Sequence, residues 1–252
     1  MKHRSRNLTR LALLLISAGV IGNVVLYLLG NSPFNVYELS IEQPVRMDQT
    51  TSVLIQTETG TIDVVPIQGD EIKATLGGKT TKALMKDYKL DITQDGGQTS
   101  IKVVQDNQFR FFDIYTDLKL TVGIPEIQLE QLKVVTDTGN IDIGPILAKE
   151  YRAISDTGSI KLDIEEGIIH AETDTGEITA SLERIRQDIH ATSDTGDITI
   201  QTVEAPKALR TQFSADSGTV QVTLPGYKDG YIGEGGPLVK LISDTGNLKI
   251  EQ

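Results

Sequence analysis

Residues 168–200 read IIHAETDTGEITASLERIRQDIHATSDTGDITI. Two near-identical corners, T-D-T-G-E-I and S-D-T-G-D-I, lie in this stretch with Asp174 and Asp194 in equivalent places. Before the first corner, Ile169, Ala171 and Thr173 alternate with polar residues; after it, Ile178 and Ala180 do the same. The second corner keeps the phase, with Ile189, Ala191 and Ser193 before it and Ile198 and Ile200 after it. A period of two on both sides of a glycine corner is the pattern of strand, turn and strand with one face turned inward.

Working outward, the same corner recurs at Thr136–Ile141, Ser155–Ile160, Ala215–Val220 and Ser243–Leu248, with a further copy upstream at Thr57–Ile62. The acidic positions of the downstream copies are Asp137, Asp156, Asp174, Asp194, Asp216 and Asp244, spaced 19, 18, 20, 22 and 28 residues apart. Periods near 20 residues indicate a solenoid, in which each repeat buries its apolar face on its neighbours. The expected fold is an all-β, single-stranded β-solenoid with rungs of about 18–22 residues. The glycines Gly139, Gly158, Gly176, Gly196, Gly218 and Gly246 suit a type I turn followed by a left-handed residue, and the Asp side chains suit acceptance of nearby backbone N–H groups.

The N-terminus has a different character. Lys2, Arg4, Arg6 and Arg10 precede an uncharged run from Leu11 to Leu29. Nineteen residues at 1.5 Å per residue span roughly 28 Å, about one bilayer core. The basic flank places the N-terminus in the cytoplasm and the C-terminal domain outside. A cleaved signal peptide is the rival reading, though no small-x-small cleavage site closes the run. The expected organisation is a basic cytoplasmic tail over 1–10, a single-pass membrane anchor over 11–30, and a linker with a first strand over 31–50. The solenoid follows over 51–252, less regular in 51–130 and repetitive in 131–252.

Composition narrows the functions. The chain has 252 residues and no Cys, so disulfide frameworks, thiol catalysis and thiolate metal sites are excluded. Of its 24 Lys and Arg, four precede residue 31; the remaining 20 face 35 Asp and Glu, a balance of −15. Such a domain does not bind nucleic acid through bulk charge.

The repeated [ST]-D-T-G-x-[IVL] corners after an N-terminal anchor resemble the bacterial putative-adhesin family of β-strand-repeat proteins, a domain of unknown function, and within it the LiaG-like membrane-anchored members. The resemblance covers 51–252 in outline and is densest over 130–250. It implies a right-handed solenoid on the outer face of a bacterial membrane, in proteins associated with envelope stress. It brings no catalytic or ligand residues.

Three side-chain sets remain as candidate sites. Asp174, Glu177, Asp194 and Asp197 place four carboxylates on adjacent rungs, which suits a hard cation such as Ca²⁺; solvated corner edges are the plainer reading. Four residues before each Asp stand Lys133, Arg152, His170, His190, Gln212 and Lys240, a basic column able to meet an acidic partner or anionic polymer. Phe109, Phe111 and Phe112, within residues 105–115, form either a partner-contacting loop or a cap on the solenoid's open end. Residues 225–237, rich in Gly and Tyr, read as a surface loop that accounts for the 28-residue spacing. The D-T-G string also occurs in aspartic proteases, but repetition at solenoid spacing does not build their facing carboxylate pair. No other catalytic motif is present. The chain is therefore expected to be no enzyme, with no cofactor. It should serve as a membrane-anchored interaction or sensory-accessory protein of the cell envelope. An adhesin or glycan-binding protein is the alternative, and a polysaccharide-active enzyme a remote one. The expected partners are the membrane and envelope proteins or cell-wall polymer.

Overall fold

The structure, a computed structural model, describes residues 2–30, 32, 34–47, 49–82, 84–106 and 116–252. Helix α1 covers Lys2–Leu28. Its segment Thr9–Leu28, with a mean hydropathy of 2.3, is long and apolar enough to cross a membrane. Gly30, at φ +71°, ends it, and Asn35 Nδ2 donates to the Tyr27 carbonyl near the freed helix end. Tyr37 Oη then donates to the Gly30 carbonyl at 3.1 Å, which ties the helix closely to the first strand.

The irregular part contains β1 (Val36–Arg46), β2 (Ser52–Thr59), β3 (Thr61–Ile67), β4 (Glu71–Thr81), β5 (Tyr88–Asp95), β6 (Gln98–Gln105) and β7 (Thr116–Pro125). Regular strand pairs follow, joined at the glycine corners: β8 (Leu129–Thr138) with β9 (Ile141–Ile143), β10 (Ala148–Thr157) with β11 (Ile160–Ile164), and β12 (Ile168–Thr175) with β13 (Ile178–Leu182). Next come β14 (Ile189–Thr195) with β15 (Ile198–Thr202), and β16 (Leu209–Ser217) with β17 (Val220–Thr223). The short β18 (Tyr231–Ile232) precedes the last pair, β19 (Leu238–Thr245) with β20 (Leu248–Glu251).

Among the described residues these strands form two ten-stranded sheets, ordered β1-β4-β7-β3-β9-β11-β13-β15-β20-β17 and β18-β16-β19-β14-β12-β10-β8-β2-β6-β5. Every regular rung gives its strand before the corner to the second sheet and its strand after the corner to the first, so the core lies between the two. The inward columns read from the sequence are buried there: Leu132, Tyr151, Ile169, Ile189 and Val239 on one side, Ile141, Ile160, Ile178, Ile198 and Leu248 on the other. This is a β-solenoid, as the repeat spacing predicts.

The stacking does not follow chain order at either end. The last pair, β19 and β20, inserts between β14/β15 and β16/β17 in both sheets. At the other end β7 inserts between β4 and β3, parallel to β3 and antiparallel to β4. The stretch 225–237 is therefore more than a surface loop. Its β18 pairs antiparallel with β16 and covers that sheet's edge, while Tyr227 Oη bonds Thr211 Oγ1 at 2.7 Å. Antiparallel β1, β4 and β5 close the opposite end. Residues 107–115, including Phe109, Phe111 and Phe112, lie outside the described residues.

The corners differ from the expected type I turn. Asp and Thr continue the strand, and the chain bends at glycine alone, with φ between +144° and +155° at Gly139, Gly158, Gly176, Gly196 and Gly218. Corner amides bond to the next rung: Gly139 N donates to the Thr157 carbonyl, Gly158 N to Thr175, Gly176 N to Thr195, Gly196 N to Thr245 and Gly246 N to Ser217. The flat corner satisfies its polar backbone between rungs, so an internal turn bond is unnecessary.

The small hydroxyl before each Asp has a matching task. Buried Ser155, Thr173, Ser193 and Ser243 donate to the carbonyls of Gly139, Gly158, Gly176 and Gly196 at 3.0–3.1 Å. Thr136 departs from this pattern, because its buried Oγ1 has no partner. Removing a satisfied buried hydroxyl costs about 1 kcal/mol, whereas replacing an orphaned one by a methyl is neutral or stabilising. We expect Ser193→Ala to lower the urea midpoint and Thr136→Val to leave it unchanged or raise it.

Candidate functional site

The outer face of the second sheet brings the sequence-predicted residues together in stripes. Cross-strand register places Lys133, Arg152, His170, His190, Lys240 and Gln212 in one column, in that spatial order. Insertion of β19 matters here. It seats Lys240, rather than Gln212, beside His190, and so makes five basic or imidazole side chains contiguous. Rungs are about 4.8 Å apart, so the column is roughly 20 Å long. The His170 and His190 rings meet edge-on with centroids 6.2 Å apart. Partial burial, then the Lys240 ammonium and the His170 ring, hold the His190 imidazole below its ordinary pKa, against an opposing pull from Glu172. A shallow depression of about 190 Å³ lies here, lined by Arg152, Ile154, His170, Glu172, His190 and Thr192.

Two residues toward the corner runs a second column of Val135, Ile154, Glu172, Thr192, Ile242 and Ser214. Val135, Ile154 and Ile242 are half-buried. Two residues further stand the exposed carboxylates of Asp137, Asp156, Asp174, Asp194, Asp244 and Asp216. They form a ridge along one edge, with each carboxylate following the last in the stack. No facing pair of the aspartic-protease kind arises from this arrangement.

The four carboxylates considered for Ca²⁺ do not converge. Among the described residues no group of three His, Asp or Glu side chains is arranged to hold a metal ion. Asp174 and Asp194 belong to the exposed ridge, while Asp197 Oδ1 accepts the Asn247 backbone N–H at 2.7 Å. That bond shows what the residue after each corner glycine does. Asn140 Oδ1 likewise accepts Ser159 N–H at 2.9 Å, and Asn247 Oδ1 accepts Thr219 N–H at 3.1 Å. Ser159 Oγ accepts the Glu177 N–H in the same way, so the short polar side chains of Asn140, Ser159, Asp197 and Asn247 each cap an amide of the adjoining rung.

A second polar cluster escaped the sequence reading. Arg184 pairs with Glu165, and both Arg184 and Arg186 lie 3.6 Å from Glu166. These residues belong to the connections from one rung to the next, beside clefts of about 340 and 470 Å³. Connection lengths vary, so no fixed offset from the corner reveals them.

Tyr151 anchors the same side of the core. Its hydroxyl accepts the Ala148 N–H at 2.9 Å and donates to the Ile146 carbonyl. A Cβ at Gly167 would lie 2.5 Å from the Tyr151 ring, so the small residue there makes room for the large one. Burial pushes the Tyr151 hydroxyl up to about 12. Its stabilising contribution is therefore whole below the unfolded phenol's value near 10 and is lost as pH rises through about 12. A spectrophotometric titration is expected to show one late tyrosine, absent in Tyr151→Phe.

A family model described as Toastrack DUF4097 matches residues 50–164 and 86–251. Among solved structures, a putative cell adhesion protein from Clostridium sporogenes aligns at 10% identity and a TM-score of 0.54, covering 86% of this chain and all of the other. A putative adhesin from Bacteroides fragilis aligns at 15% identity over 84% of this chain and 96% of its own, with a TM-score of 0.34. A putative lipid binding protein from Parabacteroides distasonis aligns at 12% identity over the same shares, with a TM-score of 0.41. The first of these likenesses shows the shared fold. No curated protein matches the chain.

Proposed function

The chain belongs to the Toastrack DUF4097 family, and we propose that it is a membrane-anchored, non-enzymatic interaction protein of the bacterial cell envelope. The observation that carries this reading is the join between α1 and the solenoid. An apolar helix of membrane-spanning length leads within a few residues into β1, which is the edge strand of one sheet. The solenoid is thereby held end-on near the bilayer, and its striped side face is turned toward whatever lies alongside. The basic flank before the helix keeps the N-terminus cytoplasmic and the solenoid outside.

The face suits recognition. It is built on rigid strands, and it carries an ordered basic column, a half-buried apolar column and an acidic ridge instead of a deep convergent pocket. A sensory-accessory role in envelope stress is the form of interaction we favour. It is tested by a pull-down from crosslinked, envelope-stressed cells with tagged full-length protein, using the anchor without its solenoid as control. Recovery of membrane proteins by the intact chain alone is the expected result. Recovery of cell-wall polymer without protein would replace this reading by that of an adhesin.

A further inference from the structure

The striped face is complementary to itself. Each central rung carries a basic or imidazole side chain four residues before its Asp: Lys133 and Asp137, Arg152 and Asp156, His170 and Asp174, His190 and Asp194, Lys240 and Asp244. All ten stand on the outer face of one sheet, in two parallel columns about 13 Å apart at 3.3 Å per residue. Midway between them runs the column of Val135, Ile154, Glu172, Thr192 and Ile242. A two-fold axis laid over this middle column, along the stack, turns each basic column onto the acidic ridge of a second copy.

We propose that this face is a homodimer interface, the occupant being a second copy of the chain in the same membrane. The axis fixes the register without further choice. Lys133 meets Asp137 of the second copy, Arg152 meets Asp156, and Lys240 meets Asp244, giving three fixed-charge pairs on each side. Val135, Ile154 and Ile242 meet their own counterparts at the centre, where apolar contact and charge depletion are characteristic of interfaces. Glu172 also meets its counterpart, set among His170 and His190 of both copies. Facing sheets lie about 10 Å apart, a gap that a Lys or Arg side chain bridges toward an Asp. Because the axis runs along the stack, both copies keep the β1 end on the same side, so both α1 helices enter one membrane. A two-fold axis across the stack would send them in opposite directions.

The size of the face sets the expected strength. Five rungs by seven strand residues cover roughly 500 Å² per copy, below the 800 Å² of a standard stable interface. The dimer is therefore weak in free solution and is favoured when two anchors confine the copies to one bilayer. This deepens the interaction reading by naming one partner. Its test uses no envelope component, so the two readings fail separately.

The test is site-directed crosslinking of the full chain in liposomes. The chain has no native Cys, so single cysteines report cleanly. A short bismaleimide is the appropriate reagent, because sheets about 10 Å apart are too distant for a disulfide, whose Cα atoms lie within about 7 Å. Ile154→Cys and Ile242→Cys sit on the axis and are expected to crosslink to themselves. Thr179→Cys, on the outer face of the other sheet, is the control. Combining Lys133→Glu, Arg152→Glu and Lys240→Glu should lower the yield at Ile154→Cys about tenfold. Adding Asp137→Lys, Asp156→Lys and Asp244→Lys should restore it. Equal yields at Ile154→Cys and Thr179→Cys, or a yield that survives charge reversal, would overturn the proposal.

Discussion

Gly176→Ala is expected to unfold most of the molecule or to cost about 3–5 kcal/mol, the range of severe single substitutions. Gly176 sits at φ +155°, and a Cβ there would lie 2.1 Å from the Gly158 carbonyl oxygen. Two separable costs follow. The backbone conformation itself excludes a side chain at about 1–3 kcal/mol. The contact is with backbone that is itself fixed, since Gly158 N donates to Thr175 and its carbonyl accepts the Thr173 hydroxyl. Neither rung can retreat without breaking its ladder. Gly69→Ala separates the two terms. Its φ is +121°, but a Cβ there meets nothing within 4 Å, so only the conformational cost applies. Urea denaturation of the full chain in detergent should show Gly176→Ala shifted at least twice as far as Gly69→Ala. Equal shifts would mean that the rungs part easily, and that the close glycine stack is not what fixes their spacing.

That stack also explains how much of the fold was legible in the sequence. An inward side chain every second residue on both sides of a glycine forces strand, corner and strand, and the small hydroxyl before Asp is needed by the carbonyl of the adjoining glycine. These requirements repeat in every rung, so they appear as columns in the sequence. Rung order is a different matter. Each repeat offers nearly the same two surfaces, and a repeat period does not say which rung lies beside which. One signal was present in the residues. The repeat 209–223 carries Thr211 and Ala215 in inward columns, features of an atypical end rung, and the structure leaves its Val220 exposed. The repeat 238–250 carries the full apolar set with Ser243, as an internal rung requires. The basic column was legible because it has a fixed offset from the corner. Its continuity through Lys240 was not, because that depends on rung order. Val135 and Ile154 are apolar residues at outward positions of the alternation, and the structure gives them a shared column with Ile242.

The rung exchange predicts an unusual pattern of core sensitivity. In a solenoid stacked in chain order the final repeat is the end rung, and truncating its side chains costs little. Here Leu241 is fully buried between β14 and β16, and its rung is held on both sides, by Leu248 N–H donating to the Thr219 carbonyl and by Asn247 accepting from Ile198 N–H. Leu241→Ala therefore leaves a cavity enclosed by two rungs and is expected to cost about 2–5 kcal/mol. Val220, earlier in the chain, is 47% exposed in the terminal rung, and Val220→Ala should fall within about 0.5 kcal/mol of the parent. Amide hydrogen exchange gives an independent reading of the same point. The amides of Ile198 and Leu248 should exchange only with global unfolding, while those on the outer edge of β17 exchange first. If instead Val220→Ala were the costly change and Leu248 exchanged early, the repeats would be stacked in chain order. Gln212 would then interrupt the basic column between His190 and Lys240, and the third fixed-charge pair of the dimer face would move to the exposed end rung.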